Sequence, residues 1–170
     1  MIIYLYISCF FCIFVLMPAA HAKKFSNSYC SFWVPDDWEC KLEETEYICR
    51  PSNDTNSSKE ILMILGAKYA GTQDSLAQYK DHLERDRDGE GSARVIKPPK
   101  LIRLGERQWI DATHKDSEIP NYFTRYLATV DGDIAMLITV SFYHTTENKY
   151  TDIIEQIAFS VRSHKLTSNN

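Results

Sequence analysis

The chain has 170 residues, 19 Lys and Arg against 23 Asp and Glu, and a formal net charge of −4, with basic residues interleaved among acidic ones as in Glu84-Arg85-Asp86-Arg87-Asp88. That balance argues against nucleic acid and anionic membrane surfaces as partners. With 44% hydrophobic and 12% aromatic residues, the composition suits a packed globule and excludes a disordered tail as the main body.

Residues 1–22 are apolar, carry no Lys, Arg, Asp or Glu, and end in Ala20-His21-Ala22 before Lys23-Lys24. This reads as an export signal cut between Ala22 and Lys23. The apolar run Ile2 to Met17 is shorter than the roughly twenty residues of a spanning helix. Its n-region lacks Lys and Arg, however, and Lys23-Lys24 would favour the cytoplasmic side if the segment stayed. An uncleaved inner-membrane signal anchor is therefore the alternative. Cleavage predicts a soluble periplasmic or secreted protein with no membrane contact: a short arm at 23–29, a single domain at 30–162 and a flexible tail at 163–170. About 148 residues are enough for one domain with a sizeable core.

Phe32-Trp33-Val34-Pro35 reads as a first strand leading into a hairpin, Trp38 to Leu42 and Tyr47 to Arg50. With Glu44-Thr45 as the two-residue loop, Cys40 and Cys49 lie opposite each other, in range for a disulfide. In an oxidising compartment Cys30 is then left as a free thiol, buried as a small hydrophobe or linking a second chain. Ser52 to Ser58 is polar and turn-rich. Its Asn53-Asp54-Thr55 and Asn56-Ser57-Ser58 fit the glycosylation acceptor pattern, though a solvated loop is the simpler reading.

Ile61 to Leu65 is a continuous apolar run and suits a strand covered on both faces. Thr72 can cap a helix running to about Asp88, with Leu76, Tyr79 and Leu83 at helical spacing and Gly89 and Gly91 ending it. After Pro98-Pro99, Leu101 to Leu104 and Arg107 to Lys115 form a second hairpin around Gly105-Glu106. Asn121 to Val130 and Asp133 to Tyr143 form a third across Asp131-Gly132. That register puts Phe123, Leu127, Met136, Ile138 and Val140 on one face and Tyr122, Tyr126, Ala128, Ala135 and Leu137 on the other. Both faces are largely apolar, which calls for helices on both. Tyr150 to Val161 supplies one, with Ile153, Ile154, Ile157 and Val161 at helical spacing. The expected fold is α+β, an antiparallel sheet flanked by helices on both faces.

This order of elements, opened by Phe32-Trp33-Val34-Pro35-Asp36-Asp37-Trp38 and closed by Ile154-Glu155-Gln156-Ile157-Ala158-Phe159-Ser160, resembles the superfamily of the photosystem protein PsbP, the Ran-release factor and the bacterial envelope protein DcrB. The similarity spans about residues 30 to 162. It rests on aromatic and proline anchors in a strand order, and no functional residue is carried over. The resemblance implies an α/β/α sandwich and a non-enzymatic accessory role. Ser117 to Tyr126 also resembles a stretch of uncharacterised exported bacterial proteins, which implies a bacterial periplasmic origin.

The chemistry-bearing residues are few. No two histidines have metal-ligand spacing, and no cofactor motif is present, so neither metal nor cofactor is expected. Asp111 and His114, three apart on one strand, point to opposite faces and cannot form an acid–base pair directly. His82 sits on a charged helix face, and His144 ends a strand without a partner for triad logic. Arg125 faces an apolar set, so a carboxylate should lie nearby, with Glu118 and Asp111 as candidates; the simpler reading is that its stem packs while its head reaches water or a loop carbonyl, and it could also clamp an anionic ligand. Trp109, Tyr122, Arg125 and Tyr126 are the candidate binding residues, being of the types that dominate hot spots, with core packing as the alternative for Trp109. Three functions remain open. They are a module binding another envelope or secreted protein, a small hydrolase using Asp111, His114, Glu118 and Arg125, and a carrier of a small ligand between sheet and helix.

Overall fold

Three tight hairpins build most of the main sheet. The computed structural model describes residues 22–52, 60–85 and 93–164. The apolar leader, both Asn tripeptides and Gly89 and Gly91 lie outside the described residues. Strands β3 (Trp38–Glu43) and β4 (Glu46–Pro51) turn at Glu44-Thr45 and pair Cys40 with Cys49, whose disulfide spans a Cα–Cα distance of 4.1 Å. Strands β6 (Arg94–Leu104) and β7 (Arg107–Lys115) turn at Gly105-Glu106, and β8 (Phe123–Asp131) and β9 (Ile134–Phe142) at Gly132-Asp133. With β5 (Ile61–Tyr69) they form one antiparallel sheet in the order β3-β4-β5-β9-β8-β7-β6.

The third turn sits one residue later than Asp131-Gly132, because Gly132 adopts φ +61° at the first loop position, where a side chain would be strained. Moving the loop by one residue shifts the strand register by two. The alternation is therefore kept, and Leu127 still shares a face with Ile138. Strand β6 also begins earlier than Leu101. It runs through Pro98-Pro99 by shifting register between Val95 and Lys97 and again between Lys97 and Lys100. An edge strand tolerates prolines because its outer N–H groups have no ladder partner to lose.

One face of this sheet carries the main core. It packs against helix α2 (Glu147–Ser160) and a separate small sheet of β1 (Ala22–Ser26), β2 (Cys30–Pro35) and β10 (Arg162–Ser163), ordered β1-β2-β10. The first strand thus lies across the core from the hairpin that follows it, with Phe32 and Val34 pointing in beside Trp38, Met63, Leu127, Ile154 and Ile157. Helix α2 starts at Glu147, a turn before Tyr150, and Val161 stands just past its end.

On the opposite face lies α1 (Leu76–Glu84), whose N-cap is Ser75 and not Thr72: the Ser75 hydroxyl accepts from the Gln78 N–H at 3.2 Å. The helix stops at Glu84, since Arg85 is already extended. Leu83, with Tyr79 and Leu76, packs on Ile110, Ala112 and Tyr126. So short a helix covers only the β6–β8 part of this face. Ile61, Met63 and Leu65 are buried, while Leu62 and Ile64 on the other side of β5 are only half-buried, so β5 is covered fully on one face alone. The result is an antiparallel α+β sandwich with helices on both faces of the sheet.

Candidate functional site

Alternation along β7 and β8 sends neighbouring polar side chains to opposite sides, creating two sites back to back. On the α2 side, Arg125 donates through Nε to Asp111 Oδ1 at 2.8 Å and through Nη2 to Asp111 Oδ2 at 3.1 Å. The same Nη2 also donates to Glu155 Oε1 at 2.9 Å. Burial works to lower the guanidinium's pKa, but the two carboxylates outweigh it and hold the pKa above the usual value. These groups line a crevice of about 400 Å³ between β6 and α2, with Lys97, Lys100 and Glu147 at its rim. Lys97 pairs with Glu147, and Lys100 stands 4.0 Å from Asp111.

Of the two expected carboxylates, Asp111 is Arg125's partner. Glu118 is not: it lies across the sheet, where its Oε1 accepts from the Tyr126 hydroxyl at 2.6 Å. The second acid on Arg125, Glu155, comes from α2. No local spacing could reveal it, because the contact depends on how the helix docks.

The other side of the sheet holds a groove of about 500 Å³ between α1 and the exposed part of the sheet. Ile64, Gly66, Ala135, Leu137 and Thr139 line its sheet side, with Tyr79, Leu83 and Tyr126 also lining it. Leu137 remains 41% exposed. The polar groups nearby are held by bonds. His114 is buried and its Nε2 donates to the Leu83 carbonyl at 2.9 Å, so this nitrogen carries the proton; its ring sits edge-on to Tyr126 at 5.2 Å. Tyr79 donates to Asp74 at 2.7 Å, and Asp74 also accepts from the Gly71 N–H at 2.8 Å and pairs with Lys68 at 3.0 Å. Burial pushes Asp74 up, but these bonds together bring it below the usual carboxylate range. Burial and Asp74 both push the Tyr79 hydroxyl up.

The four candidate binding residues do not converge. Trp109 is 0% exposed in the α2-side core, and its Nε1 has no hydrogen-bond partner among the described residues. Arg125 shares that face and lines the crevice, while Tyr126 lines the groove behind it. Tyr122 stands just before β8, its ring tilted against that of Tyr143 with the centres 4.3 Å apart. The hydrolase candidates divide the same way, Asp111 and Arg125 on one face, His114 and Glu118 on the other. Alternation puts Leu137 on the Tyr126 face, which the sequence expects a helix to cover; it stays exposed in the groove because α1 is short.

No family model matches the chain, and no curated protein matches it in sequence. Solved structures match it in fold. A crystal structure from Bacteroides thetaiotaomicron superposes with a TM-score of 0.63 at 14% identity, over 87% of this chain and 50% of that one, so the chain spans half that protein's length. Cyanobacterial PsbP (CyanoP) from Synechocystis gives a TM-score of 0.61 at 8% identity, covering 85% of this chain and 94% of its own. The Saccharomyces cerevisiae Ran-binding protein Mog1p gives 0.54 at 8% identity, covering 85% and 96%. The chain has the PsbP and Mog1 type of fold, as the resemblance at Phe32 to Trp38 implies.

Proposed function

We propose that this chain is an exported, non-enzymatic binding module that acts on another envelope or secreted protein through the groove between α1 and the sheet. The observation that carries the reading is the apolar surface left open there, with Leu137 exposed beside Tyr79 and Tyr126. An open concave apolar surface lined by tyrosines favours binding. The leader with its Ala20-His21-Ala22 end and the Cys40–Cys49 disulfide support export to an oxidising compartment. A shared fold with a Ran-binding protein supports a protein partner by analogy. The division of Asp111, His114, Glu118 and Arg125 between two faces weighs against a hydrolase built from them. Among the four candidate binding residues, Tyr126 is the one we assign to this contact; Arg125 is assigned to holding α2 on the sheet.

The groove's volume also falls in the range of small-molecule sites, which favours a carrier of a small apolar ligand as the second reading. One experiment separates the two. A photoreactive residue at Thr139, irradiated in cells of the source organism, is expected to give an adduct with an envelope protein, and Leu137→Glu in the same chain should abolish it. Because Leu137 is exposed, the melting temperature should change little. Absence of an adduct would sink the protein-partner reading. A small molecule retained in native mass spectrometry and lost in Leu137→Glu would transfer the groove to the carrier.

A further inference from the structure

Far from the groove, on the outer side of the small sheet, two large aromatic side chains face solvent: Trp33 on β2, 46% exposed, and Phe159 on α2, 54% exposed. Inward alternation explains why Trp33 is outside, since Phe32 and Val34 fill the core and leave the residue between them to the other face. Phe159 is outside because the inward stripe of α2 is taken by Tyr150, Ile154, Ile157 and Ala158. The Ser160 hydroxyl ties the two places together, accepting from the Trp33 N–H at 2.9 Å.

Each ring carries a cation. Lys24 Nζ stands 6.0 Å from the Trp33 ring centre, and the Arg162 guanidinium 6.0 Å from that of Phe159. Among the described residues neither cation has a carboxylate in ion-pair range. Arg162 donates only to the carbonyls of Phe159 and Val161, at 2.8 Å each. Gly105 makes room for Phe159, since a Cβ there would fall 2.7 Å from its ring. The acids that border this surface lie at its margins: Asp36 and Asp37 after β2, and Asp152 and Glu155 on the far side of Phe159.

We infer that Trp33, Lys24, Phe159 and Arg162 form a second docking surface, whose occupant is an acidic segment of a partner protein. The argument is charge complementarity. In a chain of net charge −4, two cations without acidic partners among the described residues, each held beside an exposed ring, make a local positive site. An acidic segment meets both cations while apolar side chains of that segment cover the rings, the combination of aromatic anchor and Arg that concentrates binding energy. The surface is independent of the groove, which opens on the opposite face of the main sheet.

The test places a photoreactive residue at Trp33 in the full chain, irradiated in cells beside the Thr139 version, with the adducts mapped by mass spectrometry. The expected result is a protein adduct at Trp33 whose crosslinked peptide is rich in Asp and Glu. In a Lys24→Glu, Arg162→Glu variant its yield should fall on the order of tenfold, because reversed rim charges lower both encounter and retention. Both positions are exposed, and the Cys40–Cys49 disulfide and the melting temperature report that the variant is folded. An adduct with lipid, with a second copy of this chain or with a basic or neutral peptide overturns the inference, as does no adduct or a yield that ignores the charge reversal. An adduct at Thr139 with none at Trp33 removes this surface and leaves the groove reading standing; the reverse removes the groove and leaves this surface.

Discussion

Arg125 shows most directly what a single residue does in this fold. Its side chain is 11% exposed and that of Asp111 10%, so neither charge can return to water if the other is removed. Truncation by Arg125→Ala should therefore destabilise the protein by about 3 kcal/mol, most of it the cost of a buried carboxylate left with only the more distant, exposed Lys100. Replacing both, as Arg125→Met with Asp111→Leu, should recover most of that loss, because an apolar pair needs no compensating charge. Urea titrations of the two variants decide between this account and one in which the arginine serves only a ligand, where Arg125→Ala would leave stability unchanged. That Arg125 needed a carboxylate could be read from the sequence, since its strand neighbours on that face are Phe123 and Leu127. Which carboxylate could be read only in part. Asp111 lies on the adjacent strand at a position fixed by pairing, whereas Glu155 reaches Arg125 only through the docking of α2.

At the level of elements, the hairpins were legible and the strands that join distant parts of the chain were not. A two-residue loop between alternating runs sets its own register, which is why Cys40 and Cys49 could be paired from spacing alone. The small sheet brings together residues 22–26, 30–35 and 162–163, and β10 is two residues long, too short to carry a pattern. The first hairpin also contains a conflict between sequence and geometry. Glu44 occupies its first loop position at φ +54°, a conformation that favours glycine. Glu44→Gly is expected to raise stability by up to about 1 kcal/mol, with the gain read as a later urea midpoint at unchanged slope. Removing the disulfide acts in the other direction. Cys40→Ser with Cys49→Ser should lower stability by about 2–3 kcal/mol in the chain-entropy picture, while β4 stays paired to β5 and preserves the sheet. Loss of cooperative unfolding in that variant would contradict a sheet that stands without the bridge.

The whole molecule is a sheet covered fully on its α2 side and in part on its α1 side, and protonated groups sit in both seams. Between the main sheet and the small one, burial pushes the Cys30 thiol up to about 11 from an ordinary value of 9.0. Nearby Tyr47, whose hydroxyl donates to the Ser26 carbonyl, is raised by burial, with the Cys30 charge adding to the rise. Under α1, burial and Asp74 raise Tyr79. All three groups hold their protons in the folded state at a pH where the unfolded chain has begun to lose them. Their contribution is complete below the unfolded values and declines as pH rises through the folded ones, so stability should fall from about pH 9 upward. Cys30 accounts for the first part of that fall, between pH 9 and about 11. In Cys30→Ala the loss of stability across that interval should be shallower than in the parent, whatever the absolute cost of the small cavity. The same burial keeps the thiol neutral at pH 7 to 8, so a thiol reagent should label Cys30 only as fast as the protein unfolds. Rapid labelling of the folded chain, or an alkaline slope identical with and without Cys30, would mean that the seam between the two sheets opens to water. The core would then be a looser joint than the full burial of Cys30, in one cluster with Phe32, Tyr47 and Cys49, describes.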